Sequence, residues 1–77
     1  MNDTLNREIS STLLKMRKSK GYSQQELADR LGIPRSTYAT YEQGVRETSM
    51  EILMKVCDIC GFDIAEVVEH LKRYAFK

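Results

Sequence analysis

The sequence predicts an all-α fold of five helices, on three observations. Apolar residues recur at spacings of three and four in five separate segments. No stretch alternates at period two over a useful length, so no strand is expected. The glycines, Gly21, Gly32, Gly44 and Gly61, fall between the periodic segments, where helix stop signals belong. At 77 residues the chain is read as one domain, 1–77, with a modest core.

The first helix is expected from about Leu5 to Lys20, with Leu5, Ile9, Leu13 and Met16 on its inner face and Asp3 as N-cap. The second opens at Ser23-Gln24-Gln25-Glu26, a capping box with Ser and Glu three apart, and ends at Gly32. Its inner face is Leu27, Ala28 and Leu31. The third begins near Pro34, a residue tolerated in a first turn, points Tyr38 and Tyr41 inward, and stops at Gly44. Thr48-Ser49-Met50-Glu51 reads as a second capping box opening the fourth helix, whose apolar stripe is Ile52, Leu53, Val56, Cys57 and Cys60. The fifth opens at Asp63 and carries Ile64, Val67, Val68, Leu71 and Tyr74.

Composition excludes several function classes. No window approaches the ~18 apolar residues of a membrane span, and the polar start from Met1 to Asn6 lacks a signal-peptide core. No membrane contact, a cytoplasmic location and reduced cysteines are therefore expected. Cys57 and Cys60 form a C-x-x-C, but His70 is the only histidine and there is no third cysteine. A closed zinc site needs four ligands, so the two thiols are read as buried and inert, with no metal and no cofactor. One histidine also leaves little for acid–base chemistry near neutral pH, and no catalytic residue is assigned. Net charge is only +1, but it is unevenly placed: eight basic residues face five acidic ones in the first 46, and four face six afterwards. The front of the chain is the better match for an anionic partner.

The second and third helices are each about eight or nine residues long and are joined at Gly32-Ile33-Pro34. Two short helices with a tight Gly-containing turn suit a helix-turn-helix over about 23–42, although many helical bundles contain such a turn. The residues are more specific than the pattern. Arg17, Gly21, Ser23-Gln24-Gln25-Glu26-Leu27-Ala28, Leu31-Gly32-Ile33, Tyr38, Tyr41-Glu42-Gln43-Gly44, Leu53, Val56 and Phe62 carry the likeness. On these, the stretch from Leu13 to Val68 resembles the phage-repressor or Cro-like helix-turn-helix family, also called the Xre family. The resemblance implies a compact five-helix, lambda-repressor-like DNA-binding domain. It departs from the family at Pro34, where a Ser or Thr cap is usual, and at Tyr38, where Ile or Val is more common.

Physical reasoning and resemblance then assign candidate residues. A helix that enters the major groove hides one face and shows the other to base edges. Arg35, Ser36, Ala39 and Thr40 share a face away from the tyrosines, with Thr37 flanking them. Arg35 can bond O6 and N7 of guanine, and Ser36, Thr37 and Thr40 can bond bases or phosphates. Ser23 and Gln24 stand at a helix N-terminus, which offers free N–H groups to phosphate. The resemblance makes Gln24, Gln43 and Arg46 backbone clamps and pairs Arg17 with Glu42 in a salt bridge that positions the recognition helix. Read as an exposed pair, that bridge contributes about 0–1 kcal/mol. Lys18, Lys20 and Arg30 are read as ordinary surface charges.

The function expected is a sequence-specific, double-stranded-DNA-binding transcriptional regulator without a separate effector domain. One reading helix makes few base contacts, so a homodimer on a two-fold site is expected. The C-terminal helices, 49–76, would supply core and interface, with Ile59, Ile64, Val68, Leu71, Tyr74 and Phe76 as candidates. The alternative is a protein-interaction module, such as an antitoxin or a protein that binds an anti-repressor, with DNA binding secondary. The outward face of the third helix discriminates between them: polar for DNA, apolar for a protein partner.

Overall fold

The computed structural model describes residues 3–75. It contains α1 (Asp3–Ser19), α2 (Gln24–Leu31), α3 (Arg35–Glu42), α4 (Met50–Cys60) and α5 (Ile64–Ala75), with no strand among the described residues. No described helix is long and apolar enough to cross a membrane.

α1 buries Ile9, Ser10, Leu13 and Met16, a stripe at helical spacing. It starts earlier than the apolar periodicity implies, and Asp3 lies inside its first turn instead of capping it. There its negative charge still faces the positive end of the helix dipole. α2 has the capping box that its sequence predicts. The Ser23 hydroxyl accepts from the Glu26 N–H at 3.0 Å, and the Glu26 carboxylate accepts from the Ser23 N–H at 2.9 Å. Those bonds hold the Glu26 carboxyl below its ordinary value. Gly32 closes α2 in the left-handed conformation at φ 73°, a region a side chain disfavours. Its left-handed turn lets the Ile33 N–H reach back to the Ala28 carbonyl at 3.1 Å.

Two caps differ from the sequence reading. Pro34 is the N-cap of α3, not a first-turn residue, and it provides no side-chain cap. Its ring fixes φ at −63°, and ψ of 146° is the extended value that an N-cap needs. At α4 the cap is Ser49, whose hydroxyl accepts from the Ile52 N–H at 3.2 Å. Thr48 instead turns inward and is 5% exposed, so it cannot cap, and Glu51 is one residue too early to complete a box. At α5, Asp63 accepts from the Ala65 N–H at 2.9 Å.

α1 runs through the middle of the packing, against α3, α4 and α5, while α2 packs on α3 and α4. Leu13, Leu27, Tyr38, Val56 and Cys57 are the largest fully buried side chains of the core. Each apolar side chain of this size contributes roughly 1.5–3 kcal/mol on burial. Cys57 and Cys60 are both buried free thiols, and the Cys57 Sγ lies 3.9 Å from the Met16 Sδ. Burial pushes both thiols up from their ordinary value, which suits packing and not nucleophilic chemistry.

Candidate nucleic-acid interface

α3 is short, and little within it fixes its direction. It has eight residues, no capping side chain, no acid in its first turn and no base in its last. Its pose must come from what it touches. Tyr38 and Tyr41 are buried on one side. On the other side Arg35 and Ser36 are exposed, Ala39 and Thr40 are half-buried, and Gln43 follows exposed at the C-cap. Thr37 is half-buried on the flank that helical periodicity shares with Tyr41. The Thr40 hydroxyl donates to the Thr37 carbonyl at 2.6 Å. Thr40 therefore keeps its lone pairs and methyl group for a ligand, but not its proton.

The last turn of α3 is fastened through Glu42. Arg17 donates from Nε to Oε2 at 2.7 Å and from Nη2 to Oε1 at 3.1 Å, a bidentate pair. Gln24 donates from Nε2 to Oε1 at 3.0 Å, and Tyr38 donates its hydroxyl to Oε2 at 2.5 Å. The third Arg17 nitrogen, Nη1, donates to the Tyr22 carbonyl at 2.8 Å, one residue before the Ser23 cap. One guanidinium thus ties α1 to the start of α2 and the end of α3.

The Arg17–Glu42 pair is not the exposed bridge expected from sequence: its side chains are only 12% and 5% exposed. Both ends come from neighbouring helices, and little of either side chain meets water. Breaking such a pair by removing one partner costs about 3–5 kcal/mol. Burial alone would push the Glu42 carboxyl up, but the hydrogen bonds from Arg17, Tyr38 and Gln24 outweigh it and hold it below its ordinary value. Tyr38 is buried to its hydroxyl: burial and the bond to Glu42 raise the phenol far above its ordinary range and keep it a donor. Sequence reasoning passed over this residue as core. The available signal was its position four before Glu42 on the same helix.

The other candidate residues surround this frame. Ser23 is exposed at the mouth of α2, and Gln24 is its first helical residue. One amide proton of Gln24 is held by Glu42, and a second is left for a phosphate. Beyond α3, Gly44 adopts φ 75°, and the N–H groups of Val45 and Arg46 both reach the Thr40 carbonyl, at 3.0 and 3.3 Å. Asn6 of α1 donates to the Gly44 carbonyl at 2.9 Å. The loop is therefore pinned, and Arg46 is presented exposed from a fixed base. Arg30 lies on α2 with its guanidinium 4.7 Å from the Tyr22 ring centre, a stacking contact.

The dimer candidates divide. Leu71 is 6% exposed and belongs to the core. Ile59, Ile64, Val68 and Tyr74 are half-buried, and Phe76 lies outside the described residues. Among the described residues the exposed large apolar side chains are Val45, Met50, Met54 and Phe62, and Met50 and Met54 share a face of α4. Sequence periodicity did not select those methionines.

Comparison with known proteins agrees with this arrangement. The model of the helix-turn-helix family HTH_3 matches residues 13–67. The chain is 51% identical over 49 residues to YonR, an uncharacterized HTH-type transcriptional regulator derived from the SPbeta prophage of Bacillus subtilis (strain 168). That match covers 64% of this chain and 45% of YonR, and this chain spans under half the length of the first curated relatives it matches. In structure it is similar to the clp gene regulator ClgR from C. glutamicum, with a TM-score of 0.78 and 27% identity over 91% of both chains. It is also similar in fold to a tyrosine-to-phenylalanine mutant of the restriction-modification controller protein C.Esp1396I, with a TM-score of 0.79 and 22% identity over 100% of this chain and 98% of that one. Two short helices fastened across a tight turn, within a matched stretch that covers most of the sequence, have one reading: the chain belongs to the helix-turn-helix family.

Proposed function

We propose that the chain is a sequence-specific, double-stranded-DNA-binding transcriptional regulator that lays α3 in the major groove. The observation that carries this is the division of α3, with its inner side locked by Tyr38, Tyr41 and Glu42 and its outer side polar and free for a ligand. Arg35 reads guanine from the first turn, while Ser36 and Thr40 contact neighbouring bases or phosphates and Thr37 supports them. Ser23, Gln24, Gln43 and Arg46 hold the backbone on either side, and fix register without carrying sequence information. A DNA target implies the cytoplasm.

The regulator acts as a homodimer through its C-terminal half. A groove of about 470 Å³ runs between α1, α4 and α5, lined among others by Leu5, Met50, Leu53, Val68 and Ala75. Its lining is mainly apolar, Met54 lies one turn beyond Met50 on α4, and a second copy would cover this face and pair two recognition helices. The alternative, a protein-interaction module, is less well supported. None of the exposed large apolar residues lies on α3.

Selection of bound duplexes from a random pool at fixed salt tests the reading. An enriched, two-fold symmetric motif is expected. A pool that stays random while the protein binds it would leave only phosphate attraction and would overturn base reading.

A further inference from the structure

We propose that Tyr38 is a positioning residue for DNA reading, acting through the Glu42 carboxylate. The inference rests on the DNA-reading function proposed above and concerns how that reading is kept accurate. Two observations set it apart from ordinary core packing. First, the hydroxyl donates to Glu42 Oε2, four residues later on the same helix, so the bond ties no two helices together. What it does is select the Glu42 rotamer. Second, Glu42 is the point where α1 and α2 take hold of α3, through Arg17 on both oxygens and Gln24 on Oε1.

With four donors the carboxylate has all its acceptor sites filled, and it has one orientation. Without the phenol, Oε2 keeps only the Arg17 Nε bond, and the carboxylate loses the one donor that comes from its own helix. α3 has no capping side chain, no acid in its first turn and no base in its last to resist a rotation of the helix. Arg35, on the first turn, would carry that rotation to the tip of a long side chain, where a bidentate contact tolerates only about 10–20°. A phenylalanine would fill the same core volume and lack this control.

The test is Tyr38→Phe, measured against the selected duplex and a scrambled duplex at one salt concentration. The ratio of specific to non-specific affinity should fall on the order of tenfold. Non-specific affinity, its salt slope and far-UV circular dichroism should match wild type. In a Glu42→Gln background the same substitution should change the ratio little, since the residue through which Tyr38 acts is already altered. A merely structural role would lower the melting temperature and leave the ratio of the folded protein unchanged, and that result would overturn the proposal. So would an equal loss in both backgrounds. If Tyr38→Phe does not fold, NMR of the free wild-type protein decides. The Tyr38 hydroxyl proton and the Arg17 Nε proton should both be protected from exchange, and a hydroxyl exchanging at the solvent rate would sink the idea. Wild-type protein that selects no sequence would defeat base reading and this proposal together. Selective wild type with an equally selective variant would defeat only the role of Tyr38.

Discussion

Arg35 stands exposed at the first position of α3, with the helix behind it fixed by two buried tyrosines. Arg35→Ala should cost about 1–3 kcal/mol on the selected site and relax specificity at one position per half-site. Binding isotherms on single-base variants would show it, and equal weakening on every sequence would assign the side chain to the backbone. Glu42 offers a test that needs no DNA. Its carboxyl is held below its ordinary value of 4.5, so the stabilisation it gives is complete above that pH and is lost as pH falls through the lower folded value. The melting temperature of wild type should therefore drop toward that of Glu42→Gln on acidification, and a gap that stays constant from neutral to acid pH would contradict the assignment. At this scale the exposure of Arg35 was legible from helical periodicity, and the Arg17–Glu42 pair from the family resemblance. The Tyr38 hydroxyl was less so: an aromatic on an apolar stripe reads as core, and its place four residues before Glu42 is the one hint of the bond its oxygen makes.

Among the elements, helix type followed from periodicity while helix starts were set by competing side chains. Thr48 and Ser49 both qualify as caps by composition. Burial of Thr48 decides between them, and burial depends on α1, whose Leu5 and Ile9 line the same groove. The two hydroxyls should therefore behave in opposite ways in urea unfolding. Ser49→Ala should cost about 1 kcal/mol through the lost Ile52 bond. The Thr48 Oγ1 is buried without a hydrogen-bond partner, so Thr48→Val should be neutral or stabilising. The reverse order would restore the capping register that sequence suggests. The start of α3 was misplaced for a related reason. Proline suits both an N-cap and a first turn, and the distinction lies in ψ, which a residue name does not encode.

For the molecule as a whole, periodicity cannot tell an apolar residue that faces the core from one that faces a partner. Leu71 and Val68 lie on one stripe of α5 and line the same groove, yet Leu71 is buried in the core while Val68 is half-buried. Met50→Glu with Met54→Glu should yield monomers that keep their helicity and lose tight operator binding, whereas Leu71→Glu should unfold the chain. Sedimentation and circular dichroism on the two variants would separate these outcomes. In the dimer the recognition helices should stand about 34–36 Å apart, one DNA turn; wild type that is monomeric at high concentration and still binds a half-site tightly would defeat it. The Arg17 guanidinium bears on the cooperativity of the fold as well. An isolated helix of eight residues would fray constantly in water. Because one side chain holds the entry to α2 and the last turn of α3, neither segment can peel away without breaking the other's anchor. The hydrogen-bonded amide protons of the reading helix, from Tyr38 onward, should therefore be protected from exchange nearly as well as those of the core beneath them.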